Sequence, residues 1–377
     1  MKQLEEALHF ICSPEFWRMA ILWTISLVLS YWQLFKAALF SKEIKSYRRC
    51  SPSTTPIRPV CVITGATSGL GAATAYTLSK EGYAVAIVGR SLELLSETIR
   101  NIKDRNEDAY LEAFQADLSS IQSIMKFKIS LQQWLLDSDL HFSVQLLINN
   151  AGILATSHRL TAEGYDQMIG TNYIGAFALT KLLLPLLESS PIPARIVNVT
   201  SFTHRNVANI QVDNETVSGK SFLSSNRYPC AHIYEYSKLC VLLFSYELHR
   251  QLQSMEKSHH ISVIAADPGV VQTNIMREVP SILSYLAFTV LRLLGLLQYP
   301  EGGISSIVDA ALAPPEASGV YFFGGKGGTI NSSALSRNTK LAHRLWETTC
   351  NLLSQTPYGF EETWMLPAQF ECHKENE

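Results

Sequence analysis

The sequence lacks a charge imbalance. Across 377 residues, 31 Lys and Arg stand against 33 Asp and Glu, a formal net charge of −2, so no basic face advertises a nucleic-acid partner. It also lacks any C-x-x-C pair. Seven cysteines, an odd number scattered from Cys12 to Cys372, fit free thiols in a reducing compartment better than a disulfide framework, and Cys240 reads as helix packing. No metal-ligand constellation surrounds His259 and His260, which precede a strand in a charged loop and read as solvent-exposed, so no metal is expected. Internal repeats and low-complexity tracts are missing too. What the composition does supply is apolar material, 47% of the chain, ample for a sizeable core.

Charge is absent altogether from Met19 to Gln33 (MAILWTISLVLSYWQ), and the apolar character resumes past Lys36 through Phe40. A spanning helix needs roughly 20 mostly apolar residues, a length reached here if Lys36 snorkels to the interface. No small-residue cleavage site follows, so a retained anchor is expected rather than a removed signal peptide. Trp17, Trp23, Tyr31 and Trp32 suit the two interfaces. Lys36, Lys42, Lys45, Arg48 and Arg49 lie on the C-terminal side, against Lys2 and Arg18 among Glu5, Glu6 and Glu15 on the other. That asymmetry places the main domain on the cytosolic face, with the endoplasmic reticulum as the expected membrane and another organelle or a lipid droplet as alternatives. A long amphipathic helix lying in the interface remains the second reading. Asn198, Asn214 and Asn331 begin N-x-[ST] triplets, but Asn198 falls in an apolar strand pattern where a glycan could not fit, and all three read as chance.

Ser51 to Pro59 (SPSTTPIRP) reads as a linker after the anchor and basic flank of residues 1–50. Short β-branched runs then alternate with helical stretches: VCVITG, AVAIVG, YLEAFQADL, VQLLINN, ARIVNVTS, ISVIAADPG and GVYFFG. Near-continuous apolar strands separated by longer amphipathic segments predict a parallel sheet buried on both faces with right-handed crossovers. The expected architecture is a single α/β domain, residues 60–330, with a doubly wound parallel sheet (a Rossmann fold) and an N-terminal membrane helix. A helical extension, residues 331–377, carries LAHRLWETTCNLL, whose amphipathic pattern suits packing against core or membrane.

In Thr64 to Gly71 (TGATSGLG) the glycines follow a predicted strand and open a predicted helix. Backbone N–H groups at such a helix start can meet a pyrophosphate, because glycine removes the side chain that would block its approach. Gly65, Ser68, Gly69, Leu70 and Gly71 are therefore candidate cofactor contacts. The second strand ends at Gly89-Arg90, where an NAD-binding protein would usually carry an acid; Arg90 can instead grip a 2′-phosphate, so NADP(H) is expected over NAD. Asp117 follows the third strand and either touches the adenine or caps the helix starting near Ser119.

Tyr234 and Lys238 stand four apart in IYEYSKL, a spacing that puts phenol and ammonium on one helix face. Free tyrosine titrates near pH 10, and a fixed positive charge beside it brings proton transfer within reach. Tyr236 is a rival phenol, but it faces another side of the helix and lacks a lysine four places on.

TGATSGLG, Ala116-Asp117-Leu118, the NNAG at Asn149 to Gly152, the Asn of TNYIG, the Ser of VTSFTH, Y-x-x-x-K and DPGVVQT at Asp267 to Thr273, in that order, resemble the short-chain dehydrogenase/reductase family from Val60 to about Gly328. The chain looks most similar to the family's membrane-associated retinol and polyprenol dehydrogenase branches. The resemblance implies that Tyr234 is the acid/base, that Lys238 lowers its pKa and holds the nicotinamide ribose, that Ser201 hydrogen-bonds the substrate oxygen, and that Asn172 positions a relay water. It also implies a cofactor-side turn at Asn150, Ala151 and Gly152, a second turn at Pro268 and Gly269, and a contact from Thr273 to the carboxamide. Ser201 and Tyr234 are 33 positions apart, wider than the family's usual spacing and similar to the retinol dehydrogenase branch. Between Pro280 and Pro300, SILSYLAFTVLRLLGLLQY is interrupted only by Arg292, and the resemblance puts this apolar flap, residues 281–299, beside the substrate mouth.

The expected activity is an NADP(H)-dependent interconversion of a lipophilic alcohol and its aldehyde or ketone, of retinoid, polyprenol or dolichol, or steroid type, at a bilayer. A homo-oligomer stays open. The competing reading is a catalytically silent NADPH-sensing scaffold in a membrane complex, against which the complete Ser/Tyr/Lys set speaks.

Overall fold

The computed structural model describes residues 2–40, 46–51, 57–224, 227–255 and 260–358. Lys42, Lys45, His259, residues 52–56 of the linker and the extension beyond 358 lie outside the described residues. All seven apolar runs form strands. They are β1 (Val60–Thr64), β2 (Ala84–Gly89), β3 (Leu111–Gln115), β4 (Leu146–Asn149), β5 (Ala194–Val199) and β6 (Ile261–Asp267), then, beyond the short separate pair β7 (Val270–Val271) and β8 (Leu297–Gln298), β9 (Val320–Phe323). The main sheet runs β3-β2-β1-β4-β5-β6-β9 and is parallel throughout. This is the doubly wound fold that the strand spacing predicts. Strands β1, β2, β4, β5 and β6 are buried at every position, which is why they read as unbroken apolar runs, whereas the edge strand β3 buries only Leu111 and Phe114.

Helices cover both faces. Gly69–Lys80, Leu92–Lys103 and Ser305–Ala311 close one side through Leu78, Leu95 and Ile307. Ile121–Asp137, Gly175–Glu188 and Cys230–Gln253 close the other, with the C-terminal helix Thr339–Ser354 packed outside through Leu345, Trp346 and Leu353. Asn198 is fully buried in β5 and donates to Ser245, so no glycan can reach it.

The N-terminal segment folds as Lys2–Ile11, Pro14–Trp17, a π-helical turn Arg18–Trp23, and Thr24–Phe40. Its stretch Pro14–Lys36 is long and apolar enough to cross a membrane; Gln167–Glu188 matches the same criterion but is a core helix. Beyond the segment, Arg49 pairs with the buried Asp309 at 2.6 Å. The flap forms a surface helix, Ser281–Leu293, with Tyr285, Leu286, Val290 and Leu293 all exposed and Leu283 turned inward.

Gly175 sets the approach of the Gly175–Glu188 helix to the turn that follows β3, because a Cβ there would land on the Leu118 carbonyl. Gly175→Ala is expected to cost about 1–3 kcal/mol, since the clash is with backbone that cannot rotate away. Gly302→Ala, at a position with open space around it, is the control. Thermal unfolding of the two variants beside the wild type checks this: equal midpoints would remove the constraint.

Candidate active site

The carboxyl ends of the central strands deliver their following turns to one edge of the sheet, at the point between β1 and β4 where the strand order reverses. Thr64, the last residue of β1, donates its hydroxyl to the Ile148 carbonyl (3.3 Å) and accepts from the N–H groups of Asn150 and Ala151 (3.0 Å each). Asn150 returns its side-chain amide to the Thr64 carbonyl at 2.9 Å. These bonds clasp the glycine-rich turn to the NNAG turn. Gly65 has φ +64°, and a Cβ on it would approach Ala151 Cα to 2.8 Å, while one on Gly71 would press on the Gly65 carbonyl and lie 2.7 Å from Asn150 Nδ2. The helix Gly69–Lys80 therefore starts in contact with the sheet edge, and no side chain caps its first turn. Bare backbone N–H groups at a glycine cradle fit a dinucleotide pyrophosphate.

One cavity of about 800 Å³ runs along this edge. Gly65, Ser68, Gly69, Leu70, Gly71, Arg90, Asp117, Asn150, Ala151, Gly152, Pro268, Gly269 and Thr273 all line it, as do Ser201, Tyr234 and Lys238. Arg90 is exposed at its rim, directly after β2. Asp117 is committed to its own turn, accepting from the N–H (2.9 Å) and hydroxyl (2.8 Å) of Ser119, while Ser120 caps the helix that follows. Thr273 stands against Gly69, whose Cβ would come within 3.2 Å of it.

The helix Cys230–Gln253 carries Tyr234 and Lys238 on one face, with the ammonium 5.7 Å from the centre of the phenol ring. Lys238 is buried; its Nζ donates to the Val199 carbonyl at 3.1 Å, and its own carbonyl accepts from Thr200 at 3.0 Å. Ser201, next along the chain, is a hydrogen-bond partner of the Tyr234 hydroxyl. Tyr236 is buried on the other side against Phe222 and lines no part of this cavity. Asn172 is the one candidate that does not reach the cavity surface. It sits in the π-helical turn Gly170–Ile174, accepts from the Ile153 N–H (2.8 Å), and donates to the Ile153 carbonyl (3.0 Å) and the Ser237 hydroxyl (3.1 Å). Such widened turns recur at functional sites. Gly152 lies between Asn172 and Lys238: a Cβ there would be 3.5 Å from both.

Burial dominates the electrostatics. It pushes Lys238 down to about 8, a fall that Asp267 resists, and pushes Asp267 up to about 6 against hydrogen bonds from Tyr321 and the Gly269 N–H. Tyr234 is only partly buried by area, yet desolvation of its hydroxyl and the Asp267 charge push the phenol well above its ordinary value, with the Ser201 bond opposing. The downward shift expected from Lys238 is thus not what these surroundings impose: they hold Tyr234 as a phenol, a proton donor.

Sequence reasoning missed three contributors. Asp267 stands in the DPG motif, where the turn formed by its neighbours drew the attention. Glu235, beside Tyr234, is fully buried; a carboxylate among apolar helix positions was the available signal. Residues of the N-terminal segment, among them Phe16, Met19, Trp23 and Leu27, form part of the cavity wall, and Arg18, the one charge at the edge of that apolar stretch, was the hint.

The family model for short chain dehydrogenases matches residues 59–212. Human polyprenol dehydrogenase is 33% identical over 79% of this chain and 86% of its own length. Human retinol dehydrogenase 11 is 30% identical over 88% and 98%. Among solved structures, an uncharacterized protein from Mycobacterium paratuberculosis superposes with a TM-score of 0.60 at 26% identity, covering 81% of this chain and 97% of that one.

The pH dependence follows from Lys238. Its ammonium is complete well below about 8 and is lost as the pH rises through that value. Because kcat/KM reports groups of the free enzyme, kcat/KM for the cofactor is expected to fall above a pH of about 8. A profile level to pH ~10, where an unperturbed lysine titrates, would contradict the burial argument.

Proposed function

The chain belongs to the short-chain dehydrogenase/reductase family, and we propose that it interconverts a lipophilic alcohol and its aldehyde or ketone at a membrane, using NADP(H). The observation that carries this reading is the position of Ser201, Tyr234 and Lys238 where the glycine cradle meets an apolar wall within one cavity. The nicotinamide would supply or accept hydride. This chain's own residues would manage the oxygen: Ser201 holds it, and Tyr234, kept protonated by its surroundings, delivers a proton as the carbonyl is reduced and takes it back in the reverse direction. Lys238 holds the ribose side and offsets the phenolate charge at the moment it forms. Asn172 braces the NNAG turn against the catalytic helix and serves the proton relay behind Lys238.

Arg90, in the place of a carboxylate at the end of β2, supports NADP(H) over NAD(H), as a guanidinium can pair with a 2′-phosphate. The names of the polyprenol and retinol relatives, with the exposed apolar helix Ser281–Leu293 beside the cavity, support a lipid substrate entering from a bilayer. The apolar N-terminal segment supports a seat at a membrane, which we assign to the cytosolic face of the endoplasmic reticulum.

Full-length protein in lipid vesicles, given NADPH and a panel of long-chain aldehydes, tests the reading. Oxidation of NADPH is expected, with NADH poorer by about tenfold or more, the order of one charge-assisted contact. Tyr234→Phe should lower kcat by about 10²–10⁴-fold while leaving the NADPH Kd within about twofold. Cofactor that binds and is never oxidised by any carbonyl would favour the sensing scaffold instead.

A further inference from the structure

The N-terminal segment is clamped to the catalytic helix in both directions. Glu235, the residue after Tyr234, is fully buried, and its carboxylate accepts from Arg18 Nε (2.8 and 3.0 Å), Arg18 Nη2 and Trp23 Nε1 (2.7 Å). Reciprocally, Glu15 of the segment accepts from the Ala231 and His232 N–H groups at 2.7 and 3.4 Å. It thereby caps the helix that carries Tyr234, whose own N-cap residue, Pro229, provides no side-chain cap. Further along, Ser26 bonds Asn206, Arg205 donates to Ser30 at 3.0 Å, and the Tyr31 ring meets Phe323 at 5.0 Å. From Glu15 to Tyr31 the segment is thus attached over about 24 Å at 1.5 Å per residue. A buried carboxylate holding an arginine and an indole is costly unless every partner stays in place, so this attachment is specific.

The clamp puts Trp23 in the reaction site. Its ring lies 5.5 Å from that of Tyr234, and both line the cavity. The face of the segment turned away from the domain is apolar and open, with Ile21, Ile25, Val28, Leu29, Trp32 and Phe35 all about half exposed.

We propose that the N-terminal segment is a wall of the substrate site lying flat between domain and bilayer, with Trp23 contacting the lipophilic substrate and Glu235 positioning it, so that the segment does not cross the membrane. The membrane and the substrate class rest on the function proposed above; the seat of the segment rests on the clamp alone. A stretch attached along about 24 Å of the domain cannot at the same time span a bilayer away from it, and its open apolar stripe, on a segment that lines the same cavity as the exposed helix Ser281–Leu293, is what an interfacial helix presents to lipid.

The test uses the full-length protein in sealed vesicles, with an epitope tag at each end and protease added outside. Both tags are expected to be cut from the same side. Protection of the N-terminal tag while the C-terminal tag is cut would overturn the proposal whatever the activity. In the same vesicles Trp23→Ala is expected to raise KM for a long-chain aldehyde by about tenfold, the low end of what a pocket forfeits when an apolar group is trimmed from it, with the NADPH Kd unchanged and Trp23→Phe recovering most of the effect. An unchanged KM in Trp23→Ala would remove Trp23 from the site. If no aldehyde is turned over by the wild type but both tags are cut from one side, the enzymatic reading fails and the flat seat of the segment stands.

Discussion

A lysine held out of water is the constraint on which the site depends. Lys238 is buried with its ammonium on the Val199 carbonyl, and a charge so placed is tolerated only if nearby groups compensate it. The compensation comes from the ends of the same parallel strands that build the cofactor edge: Val199 closes β5, and Asp267 closes β6 with its carboxylate buried beside Tyr321. Each of the two ions is pushed toward its neutral form by burial and is drawn back by the other. The sheet therefore does more than carry loops: the β5–β6 register, with Val199 opposite Ala266, fixes where the Val199 carbonyl and the Asp267 carboxylate stand relative to each other.

Most of the scaffold and the cofactor edge were legible in the sequence because they are local. Strands buried on both faces must be apolar throughout, so AVAIVG and ISVIAAD announce themselves. The glycines of TGATSGLG follow from a backbone approach that any Cβ would obstruct, as Gly65 and Gly71 show. The four-residue spacing of Tyr234 and Lys238 needs only helical geometry. What was not legible depends on partners distant in the chain. Trp23 and Glu235 are 212 positions apart, and no periodicity links them. An apolar stretch near the N-terminus satisfies the requirements of an anchor by composition alone, and only the contacts of Arg18, Ser26 and Ser30 reveal that one face belongs to the domain. The direction of the Tyr234 shift was hidden for a related reason. Spacing identifies a neighbouring charge, but desolvation depends on everything else that surrounds the hydroxyl, and here it prevails.

The cavity has two chemically distinct ends, and the proposed reaction would use both. Its inner end is backbone: glycine turns and N–H groups at strand termini, rigid because Thr64 and Asn150 bind β1 to β4. Its other end is side chain: Met19, Trp23 and Leu27 of the N-terminal segment with Leu286 and Val290 of the helix Ser281–Leu293. Backbone can recognise a dinucleotide by fixed hydrogen bonds, but a long apolar chain offers nothing to bond and is held by area excluded from water. Such a substrate needs walls that extend past the sheet edge. The sheet has no more strands to give there, so the walls come from helices flanking the domain. Tyr234 stands at the junction, with Ser201 on its hydroxyl and Trp23 beside its ring.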